Sequence, residues 1–488
     1  MADQIAVRLA ESLEDFRSFK AESEIWPFRP MILEHVYVKL DLEHRYENAR
    51  TAEDAKLFLK SVARAVAAAS KTAEQYGGSI LEVQGSMIHA GLPLAGLDDA
   101  ARALEFIQSL HDALEIVFQA RSRVLGWRMT ADTGKTLVVA GRGAHGDDSW
   151  VSLGPAANNP AKHLYSQLER PEDSRSLKRF HVGFFDRQSE SWQYADLRKT
   201  SRDMDESRVI ARKALEEEPV LRFFDVIGEN RTILADAVNI GAPGTPGAPT
   251  ADLPLTYYGW VMRSDLDGFT SLVEKSIDDD ARLEKLASDF YSIMAASGAF
   301  VDRHSESLIQ LPWAGDNFTA SAVFRSMDAY RDAVPKRLIE LSLDFDKDLE
   351  SDAKRIGSKG WAHGIAGGVP HGNAGGSIYV AGMEIGDRRF LVGAGEGFGR
   401  SIQAFADINP DAGEFVVLKD DWDQLDDGYM HSFTQAENTR GGQSSLFRIG
   451  ASSGLIRARA RIAADGSPTD VTMSRAKPEP VTPRHYYR

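Results

Sequence analysis

The chain contains no cysteine. That one absence removes disulfides, zinc–thiolate centres and thiol nucleophiles, and it is compatible with a reducing compartment. Long apolar runs are missing too. Nothing in the sequence approaches the roughly 20 residues a membrane helix needs, so no membrane partner is expected. Basic excess is also lacking: 57 Lys and Arg stand against 72 Asp and Glu, a formal net charge of −15. A duplex nucleic-acid binder normally carries the opposite balance. A polyphosphate ligand would need metal ions and a local cluster of donors to be held here. The histidines show no metal-ligand spacing. The first residues, MADQIAVRLAESLEDF, are acidic and periodic and lack the build of a secretory signal, so a cytoplasmic location is expected.

What is present describes an ordinary globular protein, with 43% apolar and 9% aromatic residues. At 488 residues the chain is too long for one core and comfortable for two domains with extensions. Apolar periodicity predicts a strand at 36–41, a helix at 53–76, a strand pair at 79–92, a helix at 98–120, a strand pair at 125–140 and a helix at 158–169. The second half repeats that order: strand 258–265, helix 278–301, strand pair 307–324, helix 327–356, strand pair 361–382 and helix 398–407. A doubled β-α-β-β-α-β order predicts an α+β fold with two ferredoxin-like cores. The boundaries read as an extension at 1–34, a first domain at 35–170, a connector at 171–254, a second domain at 255–430 and an extension at 431–488. The connector ends in GAPGTPGAPTADLP, too poor in large apolar groups to pack. The Pro-rich, polar end of the chain, 465–488, is expected to be disordered.

One pattern occurs twice, damaged differently each time. Residues 260–270 read WVMRSDLDGFT, an apolar strand running into Asp265 and a glycine turn. LPWAGDNFTA then places Asp316 at the tip of a strand-turn-strand. The first half echoes this with VYVKLDLEHRY around Asp41 and GGSILEVQGSMIHA, where Ser86 stands at the second aspartate's place. A third stretch, WVSLGPAANNPAKHLYSQLE, opens a helix with Asn158 and Lys162 four apart, on one face. Its counterpart, RFLVGAGEGFGRSIQAF, has Gly397 and Ser401 at those places.

This set of motifs resembles the class III nucleotidyl cyclases, over roughly 35–170 and 257–410. The resemblance implies two cyclase domains packed head to tail as a pseudo-dimer, similar to the paired domains of mammalian membrane adenylyl cyclases. One site would be complete (Asp265, Asp316, Asn158, Lys162) and one incomplete (Asp41, Ser86, Gly397, Ser401). It also implies two divalent cations, Mn²⁺ or Mg²⁺, held by Asp265, Asp316 and the Leu266 carbonyl. One would acidify the ribose 3′-hydroxyl and the other neutralise charge on the triphosphate. The turn at Gly268 and Phe269 would present N–H groups to phosphate. Asn158 would orient the ribose, and Lys162 would stabilise charge on the pentacovalent phosphorus. Most of the family has arginine there, and lysine is a point charge without the planar fork.

The family reads the base from Glu82 and Val151. A carboxylate only accepts, so Glu82 suits a base edge that presents donors, as uracil, cytosine and guanine do. Facing adenine N1 it would oppose a second acceptor. A cyclase divergent in both domains and carrying no sensor module is similar to the Pycsar anti-phage pyrimidine cyclases. That likeness implies UTP as substrate, cyclic UMP as a second messenger and a separate effector protein. An adenylyl or guanylyl cyclase, and a catalytically inactive nucleotide-binding sensor, remain open alternatives. The pseudo-dimer could be a self-contained monomer. Lys178 and Arg179 are candidates for a late triphosphate contact. The run GIAGGVPHGNAGG reads as a glycine-rich strand pair, since no Gly-Lys-Ser/Thr follows it.

Overall fold

Apolar residues alternate along MILEHVYVKLDLEH, which forms strand β1 (Met31–His44). Val36, Val38, Leu40 and Leu42 enter a core, while Tyr37, Lys39 and Asp41 take the opposite face. Helix α1 (Ala52–Gln75) starts where the Thr51 side chain accepts the Asp54 N–H at 3.2 Å. Its alanine-rich face packs into the same core. Strands β2 (Ser79–Gln84) and β3 (Met87–Pro93) follow, then helix α2 (Asp99–Val117), β4 (Val124–Arg142), β5 (Asp148–Leu153) and helix α3 (Pro155–Ser166). The strand pair predicted at 125–140 is one strand. β1 pairs along β4 from Leu42↔Trp127 to Met31↔Val138, so Gly134 lies within the ladder and does not turn the chain.

This computed structural model describes residues 31–223 and 252–398, apart from connecting stretches of which 167–178, 330–340 and 368–376 are the longest. It also describes 414–418, 447–449, 453–462 and 468–474. The segment 1–30, the Gly/Pro linker, Lys178, Ser401 and the rest of the helix predicted at 398–407 beyond Phe398 lie outside the described residues. Within the stretch read as connector come β6 (His181–Asp186), β7 (Ser191–Asp196), helix α4 (Asp205–Glu216) and β8 (Leu221–Arg222). The second half contains β9 (Tyr257–Leu266), a short helix α5 (Phe269–Ser276), α6 (Asp280–Arg303), β10 (Leu308–Ala314) and β11 (Asn317–Phe324). Helical residues between 328 and 356 lead to β12 (Trp361–Gly367), β13 (Ser377–Ile385), β14 (Arg388–Ala394) and β15 (Glu414–Leu418). Strands β16 (Phe447–Ile449), β17 (Ser453–Ile462) and β18 (Pro468–Ser474) close the second sheet. β18 falls where the sequence predicts disorder. Its ladder with β17 runs from Arg457↔Ser474 to Ile462↔Pro468 and gives this polar segment backbone partners.

The fold is α+β, and its two sheets repeat one topology. The first runs β2-β3-β1-β4-β6-β7 and the second β10-β11-β9-β12-β15-β17-β16. In each, a hairpin flanks the central strand, the next strand is antiparallel and the one after is parallel, β4 to β6 and β12 to β15. The repeat therefore reaches past residue 170, since β6 and β7 complete the first sheet.

The halves exchange hairpins. Leu137 and Val139 of β4 and Val151 and Leu153 of β5 lie in the second half's core with α6. Reciprocally, Tyr379, Ala381 and Met383 of β13 and Val392 and Ala394 of β14 lie in the first half's core with α1. This is the head-to-tail pseudo-dimer, with each core finished by the other half.

Candidate active site

β9 carries Asp265 at its end, and the two-residue turn Gly315-Asp316 between β10 and β11 brings the second carboxylate beside it. Gly315 has φ +63°, a conformation glycine adopts without strain. Asn317, next to Asp316, pairs directly with Asp265. Both aspartates are 3% exposed. Burial, then the charges of Asp316 and Asp267, hold the Asp265 carboxyl well above the usual aspartate range. On the other face of this sheet the core is aromatic: Trp313 contacts Phe290, Phe318 and Trp361, and Phe269 stacks on Phe290 at 4.9 Å.

The loop after β9 is tied down. Asp267 N–H donates to the Gly360 carbonyl (3.0 Å), Lys359 N–H and Ser358 Oγ donate to the Asp267 carbonyl (3.2 and 2.9 Å), and Lys359 Nζ lies 3.5 Å from the Asp267 carboxylate. Gly268, at φ +81°, turns the chain into α5. Leu266 and Phe269 place their side chains in the second core, so each can meet a ligand only through its backbone. The first N–H groups of a helix have no acceptor within it.

Two adjacent buried carboxylates fit a divalent cation, whose charge would offset both the burial and the mutual repulsion. An all-oxygen set suits Mg²⁺ or Mn²⁺, which commonly take one or two protein carboxylates and complete their shells with water and phosphate. Among the described residues no group of three or more His, Asp or Glu is placed to hold a metal.

The other half supplies a polar face. Tyr37, Lys39 and Asp41 of β1, His89 of β3 and Arg128, Thr130 and Asp132 of β4 share one side of the first sheet through direct cross-strand pairing. Helix α3 lies over it: Thr130 Oγ1 donates to the Pro160 carbonyl (2.9 Å), and Asn159 Nδ2 to Asp132 (2.9 Å). Asn158 is 2% exposed, and its Oδ1 has no hydrogen-bond partner among the described residues. Lys162 lies one turn along α3, its side chain outside the described residues.

Glu82 is 3% exposed and accepts from the Ser152 N–H through Oε1. Its Oε2 takes Gln84 Nε2 at 2.8 Å and faces His89 Nδ1 at 3.0 Å, which also meets the Tyr37 hydroxyl. Burial lowers the His89 pKa to about 4, so the ring is neutral. Val151 lies in the apolar core shared with the second half. Arg179 forms an exposed ion pair with Glu43.

Hydrogen bonds join the halves here. Gln84 Nε2 donates to the Trp313 carbonyl at 3.0 Å, so the strand bearing Glu82 abuts the hairpin that turns at Asp316. Lys135 reaches Asp278 at 3.3 Å close by. Asp265 with Asp316, and Glu82 with the strand leading to Asn158, thus form two groups on facing halves.

Sequence reasoning missed Arg128. Its Nη2 lies 3.0 Å from one Asp41 oxygen, while Ser86 Oγ donates to the other at 3.3 Å. The signal available was the register of the two repeats: Asp41 pairs with Arg128, and Asp265 pairs with Ala362.

No family model matches the chain, and no curated protein matches it in sequence. Solved structures do. A class III adenylyl cyclase-like ATP-binding protein from Pseudomonas aeruginosa matches with a TM-score of 0.55 at 14% identity, covering 90% of this chain and 95% of that one. The guanylyl cyclase Cya2 matches with a TM-score of 0.30 at 14% identity, covering 43% and 95%. The adenylyl cyclase CyaB from P. aeruginosa gives 0.26 at 15% identity, covering 45% and 92%. The first of these, spanning nearly both chains, shows the fold: two cyclase-like domains in tandem.

Proposed function

We propose that this protein is a nucleotidyl cyclase with one composite active site, converting a pyrimidine nucleoside triphosphate, UTP first, to its 3′,5′-cyclic monophosphate and pyrophosphate. The observation that carries the reading is the buried pair Asp265 and Asp316 facing, across the Gln84–Trp313 contact, a half that bears Glu82 and the partnerless Asn158 Oδ1. In the reaction the ribose 3′-oxygen bonds to the α-phosphorus, the bond to pyrophosphate breaks, and the hydroxyl proton leaves. Asp265 and Asp316 would hold the divalent cations, which when bound would acidify that hydroxyl and neutralise the triphosphate. Asn158 Oδ1 accepts from the ribose, Lys162 meets charge on the α-phosphate, and the N–H groups after Gly268 hold phosphate oxygens.

Glu82 favours a base edge with donors. An ionised carboxylate has about four acceptor positions, and three protein donors face this one, which leaves capacity for the N3–H of uracil. A role in anti-phage signalling through a separate effector follows the resemblance to Pycsar cyclases.

A second reading is favoured by one comparison. The structure matching along 90% of this chain is described as an ATP-binding protein, so nucleotide binding without turnover, with adenine as base, is the alternative. Incubation of the full chain with each of the four ribonucleoside triphosphates and Mn²⁺, with products identified by mass spectrometry, decides between them. Cyclic UMP or CMP that disappears in Asp316→Ala supports the proposal. Cyclic AMP or GMP retains the chemistry and overturns the base assignment. Tight ATP binding with no cyclic product establishes the second reading.

A further inference from the structure

The two sheets share one strand order, and Asp41 and Asp265 hold matching places on their central strands, which allows comparison of the composite site with its pseudo-symmetric twin. Around Asp265 the facing positions are Asn317 and Ala362, with Asp316 in the adjoining turn. Around Asp41 they are Met87 and Arg128, with Ser86 in the turn. Where the second half has a second carboxylate and a methyl group, the first half has a hydroxyl and a guanidinium. Both Asp41 oxygens are engaged, one by Arg128 and one by Ser86. Lys39, fully buried two residues earlier on the same face, adds a second positive group. The loss of one carboxylate alone would leave a weakened metal site. A tethered cation against the remaining carboxylate leaves no place for a free one.

We infer that Arg128 is an internal replacement for metal at the twin site, so this second site is closed to divalent cations. The exclusion comes from Arg128 more than from the missing carboxylate. This inference uses the proposed metal centre at Asp265 and Asp316 as its reference, and the test below separates the two.

The experiment counts Mn²⁺ bound to the full chain by electron paramagnetic resonance of the unbound aqua ion, with circular dichroism and thermal melting to establish folding. Wild type and D41N should bind equal numbers of ions. S86D, which restores the second carboxylate but keeps Arg128, should also match wild type. S86D/R128A should gain Mn²⁺, and adding D41N should remove the gain. If S86D/R128A fails to fold, S86D/R128Q replaces it. A gain in S86D alone, a loss in D41N, or no gain in a folded double variant each overturns the inference. A wild-type count unchanged by D265N/D316N would refute the metal centre of the proposed function. The first-half comparison would still be readable.

Discussion

Gly268 sits at φ +81° with nothing within 4 Å of where a Cβ would stand. Any cost of a side chain there is therefore backbone strain alone, about 1–2 kcal/mol for a residue other than glycine. Gly268→Ala should lower the denaturant midpoint accordingly, and Gly268→Asn, which tolerates this conformation better, by less. Three buried histidines give the protein an acid limit. His44, His89 and His111 have pKa values lowered to about 4, chiefly by burial. Trp127 Nε1 also donates to His111 Nδ1 at 3.1 Å, a bond only the unprotonated nitrogen can accept. The unfolded chain takes up protons near the ordinary histidine value while the folded chain does not. Stability is therefore present at neutral pH and lost as pH falls from about 6.5 towards 4, by up to roughly 1.4 kcal/mol per pH unit per histidine. Melting temperatures across that range should fall steeply, and His111→Gln should flatten the slope. At Glu82, proposed to read the base, Glu82→Lys would set a second ammonium near buried Lys39 and leave three donors without their acceptor. Glu82→Gln is the sounder probe. It should lower the ratio of pyrimidine to purine cyclic product about tenfold, the size of one lost hydrogen bond to a charged group. An unchanged ratio would remove Glu82 from base recognition.

At the scale of elements, the exchanged hairpins decide most. The β4–β5 arm is built from first-half sequence yet buries its apolar side in the second core. Leu137→Ala should therefore cost about 2–5 kcal/mol, read by chemical denaturation, although Leu137 is over a hundred residues from the core it fills. The central strands were the most legible part of the sequence. VYVKLDLEH and YYGWVMRSDL announce themselves by apolar content, and each carries its aspartate near its C-terminal end. β6 and β7 were not legible, because their short segments HVGFFD and SWQYAD lie among charged residues, and their place depends on a parallel ladder to β4. Helix α5 went unseen for a similar reason: eight residues are too few to establish a helical period.

On the scale of the whole molecule, the two halves form one cooperative body. Each core contains four or five side chains from the other half, and burying one such aliphatic side chain is worth roughly 1.5–3 kcal/mol. Together the larger of these side chains contribute an amount of the same order as the roughly 5–15 kcal/mol stability of a typical domain. Residues 31–223 expressed alone should therefore be unfolded or aggregated, and should recover native circular dichroism on refolding with residues 252–488. A first half that melts cooperatively alone would contradict this. No helix among the described residues is long and apolar enough to cross a membrane.

The sequence by itself determined the α+β repeat, the two aspartates, the serine at the twin position and the helix bearing Asn158. Local pattern suffices for these, since strand alternation, glycine turns and helical spacing are properties of neighbouring residues. Only the tertiary structure decided what Asp41, Glu82 and Val151 do. Asp41 meets Arg128 from 87 residues away, Glu82 meets the Ser152 N–H from 70 away, and Val151 is drawn into the opposite core. Those outcomes depend on sheet register and on hairpin exchange, and both are set by which distant apolar faces can be buried together.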